Sequence, residues 1–170
     1  MDKILKNVDI RSVLKNPFRL LDNDWALLTA GSIESFNTMT VSWGGFGVLW
    51  DRNICYCFCR PHRYTYEFLE KSGSFTLSFF EEKYRNVLDF CGSHSGRDKD
   101  KIAETGISPV GGELNSVYFS EARLVYVCRK IYFQDILPEN FIDPSVNKHY
   151  PEKDYHRMYL GEVVSCLKKD

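Results

Sequence analysis

Asn37-Thr38-Met39-Thr40-Val41-Ser42-Trp43-Gly44-Gly45, followed by Arg60-Pro61-His62-Arg63-Tyr64-Thr65, is the stretch on which the reading turns. The first segment has a two-residue period. Thr38, Thr40 and Ser42 fall on one side of a strand, and Asn37, Met39, Val41 and Trp43 on the other. Three hydroxyls in a row can hydrogen-bond a phosphate, a polyol chain or a heterocycle edge, or can simply face solvent. Gly44-Gly45 then permits a turn or a close backbone approach. In the Arg60–Thr65 segment a pair of guanidinium groups flanks a stiffening proline and opens onto a helix from Thr65 to Lys71, with Thr65 as a candidate N-cap. A helix start offers free N–H groups and a positive dipole end, so an anion is physically expected there. The alternative is that Arg60 and Arg63 are solvated or pair with Glu67 and Glu70. Together these segments suit a flat, phosphorylated ligand.

Further along, strands are expected at Trp25 to Ala30, Ser74 to Phe80, Leu124 to Phe133 (broken at Arg129-Lys130) and Arg157 to Leu167, with Gly161 as a bulge. Val48 to Trp50 and Ile54 to Cys59 read as a hairpin around Asp51-Arg52-Asn53. Val8 to Leu21 suggests an amphipathic helix interrupted at Asn16-Pro17, and Glu81 to Phe90 a second helix. The polar stretch from Gly92 to Lys101 feeds a short helix near Asp98. Pro109 to Leu114 is punctuation, and Asp143 to Asp154 a polar loop. Many strands with few, short helices describe a mainly β protein, a β-barrel with helical decoration, in which closure hides strand edges. No repeat or linker interrupts residues 1–170, so one domain is expected.

The chain has 170 residues, a formal net charge of -1 and 15% aromatic residues. That balance argues against a nucleic-acid surface or a polybasic membrane contact. No apolar run is long enough to span a bilayer, and Met1 to Val8 lacks a signal-peptide core, which places the protein in the cytoplasm with its six cysteines reduced. Cys55, Cys57 and Cys59 share one strand face. They read as small core residues, or as a metal or redox site that would need further ligands. Gly92 to Arg97 lacks P-loop spacing, and no G-x-G-x-x-G follows a strand. His94 and His156 read as structural or solvent-facing rather than catalytic.

Taken in order, the motif from Asn37 to Trp43, Arg60-Pro61-x-Arg63-Tyr64-Thr65, Phe75 to Phe80, Ser95-Gly96-Arg97-Asp98-x-Asp100-Lys101 and Tyr159-Leu160-Gly161-Glu162-Val163 resemble the flavin reductase-like proteins, most of all their flavoredoxin branch. The resemblance implies an FMN-binding split β-barrel that forms a homodimer, with NADH or NADPH as a diffusing substrate. It implies electron transfer between reduced nicotinamide, flavin and an acceptor. By the same resemblance Met39, Thr40, Val41 and Ser42, with Asn37 in the same motif, line the flavin and its chain. Arg60, Arg63 and Thr65 sit at or near the phosphate, Ser78 and Phe79 border the flavin from the adjacent strand, and Arg97 and Lys101 lie on the phosphate side. Cys55, Cys57 and Cys59 are outside that pattern. Rival readings are a flavin-binding carrier or redox sensor without turnover, and the same barrel fitted to another ligand such as haem.

Overall fold

The structure is a computed structural model that describes residues 4–13 and 16–169. Its elements are β1 (Leu5–Asn7), α1 (Ile10–Val13), α2 (Pro17–Arg19), β2 (Ala26–Ser32), β3 (Ser35–Val41), β4 (Gly44–Leu49), β5 (Arg52–Cys59), α3 (Tyr64–Lys71), β6 (Ser74–Phe79), α4 (Arg85–Ser93), α5 (Lys101–Thr105), β7 (Pro109–Gly111), β8 (Val117–Phe119), β9 (Leu124–Asp135) and β10 (Arg157–Lys169). Among the described residues, eight strands form one sheet in the order β3-β2-β6-β9-β10-β5-β4, with β1 added on β10, and all pairs are antiparallel. β3 and β4 are consecutive in the chain yet end the sheet at opposite sides. The barrel is therefore split at that seam. No helix of the described residues is long and apolar enough to cross a membrane.

Alternation along the strands divides the core in two. Ala26, Leu28 and Ala30 of β2 and Leu124, Tyr126 and Cys128 of β9 point into the barrel, where they meet Met39, Val41, Phe75, Leu77 and Tyr159. The intervening Leu27, Val125 and Val127 point outward, under Val87, Leu88 and Cys91 of α4, Ile107 and Phe119. The period of two thus feeds both sides of one sheet. Cys55, Cys57 and Cys59 are buried inside the barrel, as a core-facing strand requires. The Cys55 Sγ lies 3.2 Å from the Cys128 Sγ. Among the described residues no group of three or more His, Cys, Asp or Glu is placed to hold a metal ion.

Several local expectations change. Pro17 starts α2 rather than interrupting a helix: Asn16 accepts from the Arg19 N–H at 3.1 Å and Pro17 holds the first helical position. The portion of that expected helix at Leu14 and Lys15 lies outside the described residues. The hairpin turns on Trp50 and Asp51, whose φ values of 52° and 57° are both left-handed, so β5 begins already at Arg52. Two such residues make the turn whose twist matches the flanking strands. β9 runs unbroken through Arg129, which is exposed, and Lys130, which is half-buried and gives its ammonium to the Leu69 carbonyl of α3. The short helix begins at Lys101, capped by Asp100, whose carboxylate accepts from Ile102 and Ala103 N–H groups. Pro109 to Gly111 is a short strand that pairs with β8, an element too short to show a period.

Gly161 is the predicted bulge, with the β9 register shifting between Leu160 and Gly161. A Cβ there would lie 2.7 Å from Phe75 Cζ and 2.8 Å from Cys128 Cβ, inside the barrel. Gly161→Ala is expected to destabilise the fold by about 1–3 kcal/mol through overpacking, a loss that urea unfolding would register.

Candidate functional site at the barrel seam

The seam builds the site. β3 delivers Met39, Thr40 and Val41, and the link Ser42-Trp43 carries the chain away to β4. β5 delivers Phe58 and ends at Cys59, after which Arg60-Pro61-His62-Arg63 makes a tight turn closed by the Arg63 N–H on the Arg60 carbonyl at 3.0 Å. That turn opens α3. The two edges enclose a cleft of about 490 Å³, walled by β3 and its link on one side and by Phe58, Arg60, His62, Arg63 and His156 on the other. The size lies within the usual ~300–1,000 Å³ of a small-molecule site. No carboxylate lines it among the described residues.

The hydroxyl face of β3 is covered by α4 instead of facing solvent. Thr40 Oγ1 donates to the Leu88 carbonyl at 2.5 Å, and Thr38 Oγ1 lies 2.9 Å from Thr29 Oγ1. Met39, on the opposite face, is buried and takes the Cys59 S–H at 3.5 Å. Asn37 and Thr65 are also buried, and they bond each other, Asn37 Nδ2 donating to Thr65 Oγ1 at 2.7 Å. Thr65 therefore ties α3 to β3 from inside the helix, and the N-cap position falls on Arg63.

The two arginines differ. Arg60 donates from Nη1 to both oxygens of Asp154 at 2.8 and 2.7 Å, and from Nη2 to the His149 carbonyl at 2.8 Å. Its acidic partner is thus Asp154, not Glu67 or Glu70. Arg63 donates to the Gly92 carbonyl at 2.9 Å, and no carboxylate stands within 4.0 Å of it among the described residues. It retains charge and spare N–H groups for a ligand. The Arg60 bonds hold the Asp154 carboxyl below its ordinary range.

Ser78 and Phe79 are placed away from this cleft. β6 does not neighbour β3, because β2 lies between them, and both side chains are fully buried. The resemblance implies that they border the flavin from the strand adjacent to the motif, and in this sheet the strand adjacent to β3 is β2. Arg97 and Lys101 stand, with Asn37, on a second cleft of about 580 Å³ further along the β3 edge. Arg97 pairs with Glu67 at 2.5 Å and lies over the Tyr64 ring. The buried Lys101 ammonium donates to the carbonyls of Thr38 at 2.7 Å and Cys91 at 2.8 Å. Burial lowers its pKa to about 8, against the opposing pull of Cys91. It joins the end of α4 to the open edge of β3. A larger hollow of about 630 Å³ lies elsewhere, beside Phe80 and Leu124, where two of the three lining arginines pair with carboxylates, Arg123 with Asp24 at 2.5 Å and Arg85 with Glu82 at 3.6 Å.

Trp43, Phe58, His62, His156 and Asp154 were not singled out from the sequence as site residues. His156 packs on Trp43 with ring centroids 5.2 Å apart, and its Nδ1 lies 3.0 Å from the Tyr150 hydroxyl. Trp43, at the end of the Asn37–Trp43 motif, and His62, inside the Arg60-Pro61-His62-Arg63 turn, carried a local signal. His94 stacks on Phe90 at 4.1 Å, outside the cleft.

Residues 18–170 match the flavin reductase like domain, and the chain belongs to that family. Solved structures with the same fold include flavoredoxin of Desulfovibrio vulgaris (Miyazaki F), 24% identical with a TM-score of 0.66, covering 86% of this chain and 69% of that one. An FMN-binding domain of a flavin reductases-like enzyme from Shewanella baltica OS155 is 19% identical with a TM-score of 0.69, covering 99% and 78%. An NADH:FAD oxidoreductase of Streptomyces globisporus C-1027 is 14% identical with a TM-score of 0.65, covering 86% and 78%. No protein with a curated description matches the chain.

His156 is held neutral. Burial, then the Arg60 charge, lowers its pKa from 6.5 to about 4, against the pull of Asp154. The folded state binds this proton less readily than the unfolded chain, so the associated stability is full above pH 6.5 and is lost as pH falls through about 4. NMR titration should place the His156 midpoint near 4, and His156→Gln should flatten stability against pH between those values.

Proposed function

We propose that the seam cleft binds FMN and that the protein is an oxidoreductase passing electrons between a reduced nicotinamide, flavin and an acceptor. The observation that carries this is convergence: in a chain of the flavin reductase like family, Met39 to Trp43 and the Arg60–Arg63 turn wall one cleft with no carboxylate on its lining. The residues present fit the group. Thr40, whose hydroxyl proton is used on Leu88, keeps acceptor capacity, and Arg63 keeps donors and charge for a phosphate at the start of α3. Met39, Val41 and Trp43 supply the apolar and aromatic wall. Bound flavin would itself supply the two-electron chemistry. The protein's role is to grip, orient and exclude water, and a neutral His156 at the cleft wall adds no competing cation.

The nicotinamide is taken as a diffusing substrate. This reading is supported by the family and by the NADH:FAD oxidoreductase among the structural neighbours. We also propose a homodimer. Val48, Leu49 and Trp50 at the hairpin tip are exposed beside Tyr132 and Phe133, along the unpaired edge of β4. Such a surface suits a second copy of the chain. A cytoplasmic location accords with six free, buried thiols.

The purified protein should turn yellow with added FMN and bleach with anaerobic NADH or NADPH; a protein that stays colourless and binds no FMN refutes the proposal. Arg63→Ala should weaken FMN binding by about 2 kcal/mol and riboflavin binding far less, because only FMN carries the phosphate. Fluorescence titration of both ligands decides it. Light scattering should return a dimer mass.

A further inference from the structure

Arg60 lines the cleft, but its guanidinium is already spoken for. One nitrogen donates to both Asp154 oxygens at 2.8 and 2.7 Å, and another to the His149 carbonyl at 2.8 Å. His62 Nδ1 stands 3.1 Å from the same carboxylate. All of these acceptors belong to the single segment 136–156 that joins β9 to β10. Trp43, on the opposite wall, holds that segment too, with its ring 5.6 Å from His149 and 5.2 Å from His156. The segment is thus strapped against the cleft by the Arg60–Asp154 ion pair, the Arg60–His149 hydrogen bond and the edge-on and tilted ring contacts of Trp43.

A carboxylate and a phosphate are both oxyanions that draw on the same guanidinium N–H groups and the same positive charge. Arg60 Nη1 is fully committed to Asp154 and one Nη2 hydrogen to the His149 carbonyl, so a phosphate can reach Nη1 only by displacing the carboxylate, and at the remaining N–H groups it meets a guanidinium whose charge Asp154 already balances. We propose that Asp154 is an internal competitor for the phosphate of an incoming ligand, and that it sets how strongly the cleft prefers a phosphorylated ligand to the same ligand without its phosphate. The choice of ligand rests on the flavin reading; the competition between anions does not. While the strap is closed, Arg60 and Asp154 cancel, and Arg63 is the wall's uncompensated guanidinium among the described residues. A phosphate that takes Nη1 of Arg60 must first release Asp154, and that release is subtracted from its affinity. An uncharged ligand in the same cleft leaves the ion pair intact and meets no such term. Asp154, whose carboxylate bonds Arg60 and stands 3.1 Å from His62 on the proposed flavin wall, is therefore a specificity-determining residue acting through Arg60.

The test is a paired titration of FMN and riboflavin into wild type, Asp154→Asn, Asp154→Ser and the double variant Arg60→Ala/Asp154→Asn, followed by flavin fluorescence. Both single variants should tighten FMN about tenfold, leave riboflavin within roughly twofold, and lose the gain in the double variant. Two variants of different shape guard against one that folds poorly. An FMN-to-riboflavin ratio unmoved by either Asp154 variant overturns the proposal while leaving the flavin reading intact. A second arm uses inorganic phosphate alone and the emission of Trp43, with Trp43→Phe as the blank. Phosphate should shift that emission in wild type, and at lower concentration in Asp154→Asn. If neither flavin binds wild type but phosphate gives this pattern, the flavin reading falls and the competition stands. If neither flavin binds and phosphate leaves Trp43 unchanged in both proteins, the competition falls as well.

Discussion

The hydrogen bonds that β3 and β4 do not make to each other govern the rest of this protein. Two consecutive strands would ordinarily close into a hairpin; here Ser42-Trp43 separates them and each ends the sheet. Every other strand in the main sheet has a partner on both sides, or is the short β1. The backbone polar groups along the β3 edge need other partners. Lys101 supplies one, giving its buried ammonium to the Thr38 carbonyl. The opening that remains is a polar-edged hollow with a rigid wall, which is what positions a ligand with little loss of order on binding.

That arrangement places charge sparingly. Arg63 is anchored by a carbonyl and keeps its positive charge, Arg60 is matched to Asp154, and His156 is kept neutral by its surroundings. Lys101 meets only neutral carbonyls and is pushed toward neutrality by burial. The seam can therefore tolerate Arg60, Arg63 and His156 on one cleft, with Lys101 on the next, because Arg60 is balanced by Asp154 and His156 is neutral, which leaves Arg63 as the cleft's uncompensated guanidinium among the described residues. Neighbouring charges of one sign would otherwise oppose one another at these distances.

The strands were legible where a period of two could run for several residues. Leu124 to Phe133 and Arg157 to Leu167 were recovered nearly whole, and the Gly161 bulge with them, since only a glycine clears Phe75 and Cys128 there. β7 and β8, of three residues each, were invisible because no period fits in so short a run. The Trp50-Asp51 turn was misplaced because neither residue is the glycine or asparagine that a left-handed pair usually announces. At the candidate site, Met39 to Ser42 and the arginine turn were legible as local motifs. Sheet order was not: nothing in Ser78 or Phe79 tells that β2 intervenes before β3. Nor was Asp154, which reaches Arg60 across 94 positions of chain from an irregular segment. Local chemistry is written in neighbouring letters, whereas pairing between distant loops is fixed by the assembled barrel.

All six thiols lie out of reach of water. Burial drives Cys57 and Cys128 well above the ordinary thiol range, Cys59 and Cys166 to about 12, and Cys91 to about 11. Only the thiolate attacks an electrophile, so the native molecule is chemically silent toward alkylating and arylating reagents. The same groups become ordinary nucleophiles once the barrel opens. Labelling by such a reagent therefore counts openings of the strands that carry five of the thiols and of α4, which carries Cys91, and makes this chain its own clock for local unfolding.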